Sequence, residues 1–78
     1  MSHEHLSAHN IKIKHSIKLA SELLGVDTPY FHDRFVNHED LEVTNTFWKV
    51  LWTEYPKLKR YDRIYFCRTC QKFDLEYS

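Results

Sequence analysis

Hydrophobic and polar residues follow a helical pattern near the start of the chain. Residues 7–25 contain apolar positions spaced four, three and four apart, which lie on one face of an α-helix. These positions are Ile13, Ile17, Ala20 and Leu24. We expect the helix to begin near Ser7 or Asn10, since either side chain can cap a first turn. It should end at Gly25, because glycine readily adopts the left-handed conformation found after a helix.

A second, shorter helix is predicted from the segment "DTPYFHDRFVN". Asp27 or Thr28 can cap its start, and Pro29 suits the first helical position, where its missing N–H is not needed. The aromatic residues that lie one turn apart are Phe31 and Phe35. The helix should end near Asn37.

The segment "EDLEVTNTFWKVLWTEY" is hydrophobic around most of a helical circumference, which indicates a central helix. Its predicted stripe consists of Leu41, Thr44, Trp48, Leu51 and Tyr55, and Phe47, Val50 and Trp52 widen it. A strand is the alternative, but the run is long and does not alternate. Pro56 marks the expected end, because the residue before a proline avoids the helical conformation.

The C-terminal residues show the period of a β-strand. In "KFDLEYS" apolar and charged residues alternate, and "RIYFC" is rich in residues that favour strands. The two runs can pair as a hairpin with a cysteine-containing loop at its tip. A helix that continues from Leu58 to Tyr65 is the alternative. The predicted fold is therefore a mainly helical α+β domain with three helices and a C-terminal β-hairpin, and a small all-α four-helix domain is the second possibility.

Composition narrows the class of protein. At 78 residues the chain should form one domain, 1–78, with residues 1–6 frayed, because two domains would each bury too little apolar surface. Aromatic residues make up 15% of the chain and favour a dense core. The 11 basic and 11 acidic residues cancel, which argues against disorder and against a general attraction to nucleic acid or membranes. Without an apolar span or signal segment, we expect a cytoplasmic protein.

Both cysteines lie in "YFCRTCQKF", as Cys67 and Cys70. Two intervening residues suit a tight turn that brings both sulfurs to one point, as in a zinc knuckle flanked by strands. A tetrahedral zinc site needs four ligands, so two more must come from histidines or from a second chain. The histidines of the sequence are His3, His5, His9, His15, His32 and His38.

His32 and His38 are the predicted histidine ligands, because a helix end in "HDRFVNH" could fold back onto the hairpin. Five residues separate them, which is the upper limit of the roughly three to five residues typical of such pairs. Gln71 also stands where many knuckles have a glycine with positive φ. Packed thiols and a redox pair are the alternatives, although too few residues follow for a thioredoxin-like unit. The predicted cofactor is none or Zn²⁺, and a lasting disulfide is disfavoured in the cytoplasm.

The segment 57–72 is strongly basic and interleaved with aromatic residues. Six basic residues against one acidic residue give it a local charge of +5, which suits phosphate contacts and base stacking on single-stranded nucleic acid. The predicted contact residues are Lys57, Lys59, Arg60, Tyr61, Arg63, Tyr65, Arg68 and Lys72. Residues 33–54 carry a charge of −3, so the two segments could instead neutralise each other within one chain or between two.

Catalysis is not expected, because a domain of this size rarely spares the residues that line a pocket, and a single glycine excludes a glycine-rich phosphate loop. The aromatic residues of the second half exceed what a small core easily hides, and exposed aromatic patches mark interfaces. The leading hypothesis is a non-catalytic intracellular interaction or regulatory protein that binds a protein partner or itself. Binding of RNA or single-stranded nucleic acid is the alternative, and no membrane partner is expected.

Overall fold

The computed structural model describes the backbone of residues 4–77 and the side chains of residues 9–77. Within this range, three α-helices precede a short 3₁₀ helix and a two-stranded antiparallel sheet. The elements are α1 (Glu4–Leu24), α2 (Thr28–Val36), α3 (Leu41–Glu54), the 3₁₀ helix (Pro56–Arg60), β1 (Arg63–Cys67) and β2 (Lys72–Glu76). The predicted α+β fold with a C-terminal hairpin is confirmed, and the four-helix alternative is wrong.

The N-terminal fraying was predicted for residues 1–6. Residues 1–3 lie outside the described part of the chain, and residues 4–6 belong to α1. Across the described residues, no helix combines the length and the apolar character that crossing a bilayer requires.

Helix α1 begins earlier than its capping pattern predicted. Its first residue is Glu4, so Ser7 and Asn10 lie inside the helix and neither starts it. The C-terminal prediction is confirmed, because Gly25 has a φ of +70° and its N–H donates to the C=O of Glu22 at 3.2 Å. Glycine has no Cβ to oppose this left-handed conformation, which ends the helix at low cost.

Helix α2 agrees with the predicted pattern. Pro29 lies in its first turn and Asn37 follows its last residue as the C-cap. Phe31 and Phe35, one turn apart, are both buried in the core. The short helix therefore presents one aromatic edge to the rest of the molecule.

Helix α3 has a well-defined start and end. The Asp40 carboxylate accepts the N–H of Glu42 at 2.9 Å and that of Val43 at 3.3 Å, which satisfies two amides that the first turn leaves unpaired. The helix ends at Glu54, two residues before Pro56, as the proline predicted.

The face of α3 that enters the core differs from the predicted stripe. The buried residues of α3 are Val43, Phe47, Val50 and Leu51. Leu41 is 79% exposed, and Trp48 and Trp52 are only half-buried. The predicted stripe is therefore wrong in part, because α1 and α2 cover one side of α3 and leave part of its apolar circumference uncovered.

The hydrophobic core joins all of the main elements. Its buried side chains are Ile13, Ile17, Ala20, Phe31, Phe35, Val43, Phe47, Val50, Leu51, Leu58, Phe73 and Leu75. Phe35 of α2 lies with its ring centroid 4.3 Å from that of Phe47 on α3 and 6.1 Å from that of Phe73 on β2. Aromatic contacts thus connect helices and hairpin at the centre of the molecule.

The hairpin follows the predicted register of alternating faces. Phe66 pairs with Phe73, and Cys67 with Lys72, across the antiparallel ladder. The side chains that face the core are Ile64, Phe66, Phe73 and Leu75. Residues 58–67 are therefore not a continuous helix, because the 3₁₀ helix ends at Arg60 and β1 follows.

A buried hydrogen bond ties the hairpin to α1. The N–H of Phe73 donates to Oδ1 of Asn10 at 2.9 Å, across 63 positions of sequence. Because α1 packs against β2, this amide would otherwise be enclosed without a partner. The asparagine therefore anchors the C-terminal strand rather than starting the first helix.

Candidate metal centre and interaction surfaces

The cysteine pair forms a compact turn between β1 and β2, as the sequence predicted. The N–H of Gln71 donates to the C=O of Cys67 at 2.7 Å, and the N–H of Cys70 donates to Sγ of Cys67 at 3.3 Å. The two cysteines come within 2.9 Å of each other. Gln71 has a φ of +59°, so it adopts the left-handed conformation that a glycine usually supplies after a knuckle. Backbone amides directed at sulfur stabilise thiolates and orient them toward a metal.

The two thiols have unequal acidity. The pKa of Cys67 is lowered, first by a hydrogen bond from the Cys70 thiol and then by the backbone N–H groups of Cys70 and Thr69. The same thiol–thiol contact raises the pKa of Cys70. Cys67 is therefore the first of the pair to become a thiolate, and its neighbour supplies a proton to the shared hydrogen bond.

His32 is held by aromatic rings rather than directed at the sulfurs. Its ring lies edge-on to Phe66 at 5.3 Å and to Phe73 at 5.6 Å, on the core face of the hairpin. Burial lowers the pKa of His32, the nearby charge of Lys14 lowers it further, and Asp33 opposes them. The neutral imidazole therefore acts as a half-buried packing group.

His38 is exposed, with a φ of +55°, in the connection between α2 and α3. It lines a cavity together with Arg63 and Ile64, at the end of the hairpin opposite the cysteine turn. A strand rises about 3.3 Å per residue, so Ile64 lies about 10 Å from Cys67 along β1. The part of the chain that the structure describes contains no group of three or more His, Cys, Asp or Glu residues that could hold a metal.

The remaining histidines with described side chains also contact aromatic rings. His9 lies edge-on to Tyr61 at 5.3 Å, and His15 to Tyr55 at 6.3 Å. The side chains of His3 and His5 lie outside the described residues.

Part of the basic segment gathers around two stacked tyrosines. The rings of Tyr61 and Tyr77 are nearly parallel, with a centroid distance of 5.2 Å. The guanidinium of Arg60 lies 5.1 Å from the Tyr77 ring and 5.9 Å from the Tyr61 ring. Lys57 and Lys59 are exposed on the same 3₁₀ helix. This group combines positive charge with an accessible aromatic face.

The other predicted contact residues are interrupted by acidic or polar neighbours. Arg63 lies opposite Glu76 across the ladder, and Tyr65 lies opposite Asp74. Lys72 pairs with Cys67 at the turn. The guanidinium of Arg68 donates to Oδ1 of Asn37 at 2.8 Å. The eight residues therefore do not form one continuous basic face, because β2 places carboxylates among them.

The uncovered side of α3 forms an aromatic groove that the sequence pattern did not predict. The groove has a volume of about 330 Å³ and is lined by Asn45, Trp48, Lys49, Trp52 and Asp62; we call it the tryptophan groove. The two indole rings lie 5.3 Å apart, and Nε1–H of Trp52 donates to the C=O of Tyr61 at 3.1 Å. The hydrogen bond fixes the orientation of one wall of the groove.

Comparisons of this chain with protein-family models, with curated proteins and with solved structures returned no match.

Proposed function

We propose that the protein is a small, non-catalytic interaction protein whose partner is a second copy of the same chain. The tryptophan groove carries this proposal, because Trp48 and Trp52 are only half-buried and their neighbouring indole rings line an open apolar groove. Tryptophan is among the residues that contribute most to binding at protein interfaces. Apolar ring surface also suits binding better than proton transfer, which needs preorganised titratable groups.

Charge distribution favours a second copy over an unrelated partner. The chain has a formal net charge of zero, so two copies do not repel each other, and proteins near zero net charge associate readily. Its segment 57–72 is basic and its segment 33–54 is acidic. In a two-fold pair, the same surfaces meet reciprocally, and the exposed Lys57, Lys59 and Arg60 of each copy can face the acidic segment of the other copy. Free thiols at Cys67 and Cys70 fit the expected cytoplasmic setting.

Sedimentation velocity over a wide concentration range, in the presence of a metal chelator, tests this function. The wild-type chain should shift toward a dimer as its concentration rises. Asn45→Arg places a bulky cation in the tryptophan groove and should weaken this association at least tenfold. Ile11→Arg introduces the same cation at an exposed helical residue outside the groove and outside both charged segments, and it should leave the association unchanged.

A wild-type chain that stays monomeric at the highest concentration under these conditions would contradict association through the groove. Equal effects of Asn45→Arg and Ile11→Arg would contradict the location of the interface. A heterologous protein that competes with self-association for the groove would identify an unrelated partner instead of a second copy.

Binding of single-stranded nucleic acid is the second candidate function. The observation that favours it is the accessible ring of Tyr77, which is 56% exposed and lies beside Arg60, Lys57 and Lys59. Bases can stack on such a ring while the cations contact phosphates. Anisotropy of a labelled single-stranded RNA at low salt tests it. Binding that weakens steeply with salt and with Tyr77→Ala supports this function, and absence of binding at low salt excludes it.

A further inference from the structure

The cysteine turn brings two sulfur atoms, half the ligands of a tetrahedral zinc site, to one exposed point. Both sulfurs lie at the tip of the hairpin, and a backbone N–H of the turn is directed at Sγ of Cys67. Gln71 adopts the left-handed φ that the turn requires, a backbone conformation that L-residues rarely take. A turn that holds this conformation and directs two thiols to one point is preorganised for a metal that prefers sulfur ligands.

The same chain does not complete this site among the residues that the structure describes. His32 packs edge-on against two adjacent phenylalanine rings, and His38 lies toward the other end of the hairpin. A structural zinc site is closed by four protein ligands. Among the described residues, the two sulfurs therefore lack the two further ligands that zinc requires, and a second copy of the chain can supply them.

We propose that two copies of this chain share one zinc ion, with Cys67 and Cys70 of each copy as its four ligands. This inference deepens the proposed function and rests on its self-association, because it identifies the hairpin tip as a contact between the two copies. The thiols bind as thiolates, so assembly of the site releases four protons to solvent and involves no oxidation.

Charge and exposure at the tip fit this arrangement. Zn²⁺ with four thiolates carries a net charge of −2, and a cation-rich surrounding stabilises such a site. Each copy contributes Arg68 inside the turn, whose guanidinium donates to Oδ1 of Asn37, and Lys72 at the start of β2, so both copies together bring positive charge to the region of the turn. Arg68, Thr69 and Gln71 are exposed, and the cysteines are half-exposed, which leaves the tip accessible to a second hairpin. A two-fold axis through the metal would relate the tips and satisfy tetrahedral geometry.

The test uses the full chain, reduced and freed of metal, with zinc alone as the titrant. Zinc content and sedimentation are measured on the same samples. We expect saturation at half an equivalent of zinc per chain, together with conversion to a dimer. Cobalt(II) in place of zinc should give the absorption of a tetrahedral tetrathiolate site.

Cys67→Ser and Cys70→Ser should each abolish zinc binding and zinc-dependent dimer formation. Thr69→Ser changes the turn between them without removing a sulfur and should retain both. Both cysteines lie outside the buried cluster, so circular dichroism of the variants should match the wild type. If either variant fails to fold, alkylation of the thiols in the folded wild-type chain replaces it and should likewise block zinc binding.

Several outcomes would overturn the shared site. One equivalent of zinc per monomer would place the missing ligands in the same chain. An absence of zinc binding by the reduced protein, or a Cys67–Cys70 disulfide that persists under mild reduction, would assign the pair to structure or redox chemistry.

The response of the dimer to chelator, to zinc and to Asn45→Arg separates this inference from the proposed function. Chelator-resistant association that is weakened by Asn45→Arg, together with no zinc binding and no gain in dimer on zinc addition, would support the tryptophan groove and overturn the zinc bridge. Zinc-dependent dimers that are unchanged by Asn45→Arg would support the bridge and place the contact away from the groove.

Discussion

The hydrogen bond from the Phe73 N–H to the Asn10 side chain should contribute measurably to stability. Asn10 is 9% exposed and Phe73 is 1% exposed, so water cannot replace the bond without local opening. Asn10→Ala leaves the buried amide without an acceptor, at a cost of about 1–3 kcal/mol. Alanine favours the helix over asparagine by roughly 0.5 kcal/mol, which offsets part of this cost. We therefore expect a net loss of about 0.5–2.5 kcal/mol.

Urea unfolding followed by tryptophan fluorescence measures this loss, and exchange of the Phe73 amide with deuterium locates it. For a domain of this size, each kcal/mol lowers the melting temperature by about 4–8 °C. Asn45→Ala is the matched control, since it makes the same substitution at an exposed helical position. This control should leave the free energy of unfolding unchanged or raise it slightly.

The result that would refute this reasoning is equal stability of the two alanine variants, within about 0.5 kcal/mol. Unchanged protection of the Phe73 amide in Asn10→Ala would refute it independently. Either outcome would mean that α1 does not anchor the hairpin through this bond.

Three further changes have defined outcomes. Asp40→Ala removes the cap of α3 and should lower the free energy of unfolding by about 1 kcal/mol. Serine can also cap a helix, so Asp40→Ser should keep most of this stability in the same urea assay. Gln71→Val should be less stable than Gln71→Gly by about 1–2 kcal/mol, because a β-branched residue resists the positive φ; similar urea midpoints would contradict this. The pKa of His32 is lower in the folded state, so the unfolded chain binds more protons. Stability should fall as pH drops below about 6.5, and His32→Gln should reduce this dependence in unfolding curves measured at several pH values.

The local sequence pattern predicted most of the fold. Helix ends followed from Gly25 and Pro56, whose backbone restrictions act within one or two residues. The alternation of "KFDLEYS" predicted β2 and the burial of Phe73 and Leu75, because a period of two selects one face of a strand. The cysteine turn followed from its spacing and its flanking strands.

Long-range relations could not be obtained from the same pattern. Asparagine is a favoured N-cap, so Asn10 indicated a helix start, whereas its partner lies 63 positions away in the chain. The pattern left open whether Trp48 and Trp52 are buried, because the spacing of apolar residues along a helix does not show how many neighbours are present to cover it. In this small fold, α1 and α2 cover only one side of α3, which leaves the tryptophan groove.

The two histidines predicted as zinc ligands show the same limit of the local sequence pattern. His32 and His38 are near each other in sequence, but α2 ends between them. His32 contacts the Phe66 ring, whereas His38 lies beside the first residues of β1. Sequence spacing predicts which residues share a helix face and carries little information about a site assembled from several elements. The sequence did contain the feature on which the proposed shared site rests, since two cysteines are half the ligands that zinc requires.

Native mass spectrometry of the reduced wild-type chain, purified without added metal, tests the central claim most directly. We predict a species with the mass of two chains and one zinc ion, which gives way to metal-free chains when a strong chelator is added. A metal-free single chain before chelation, or one chain that retains a zinc ion of its own, would contradict it.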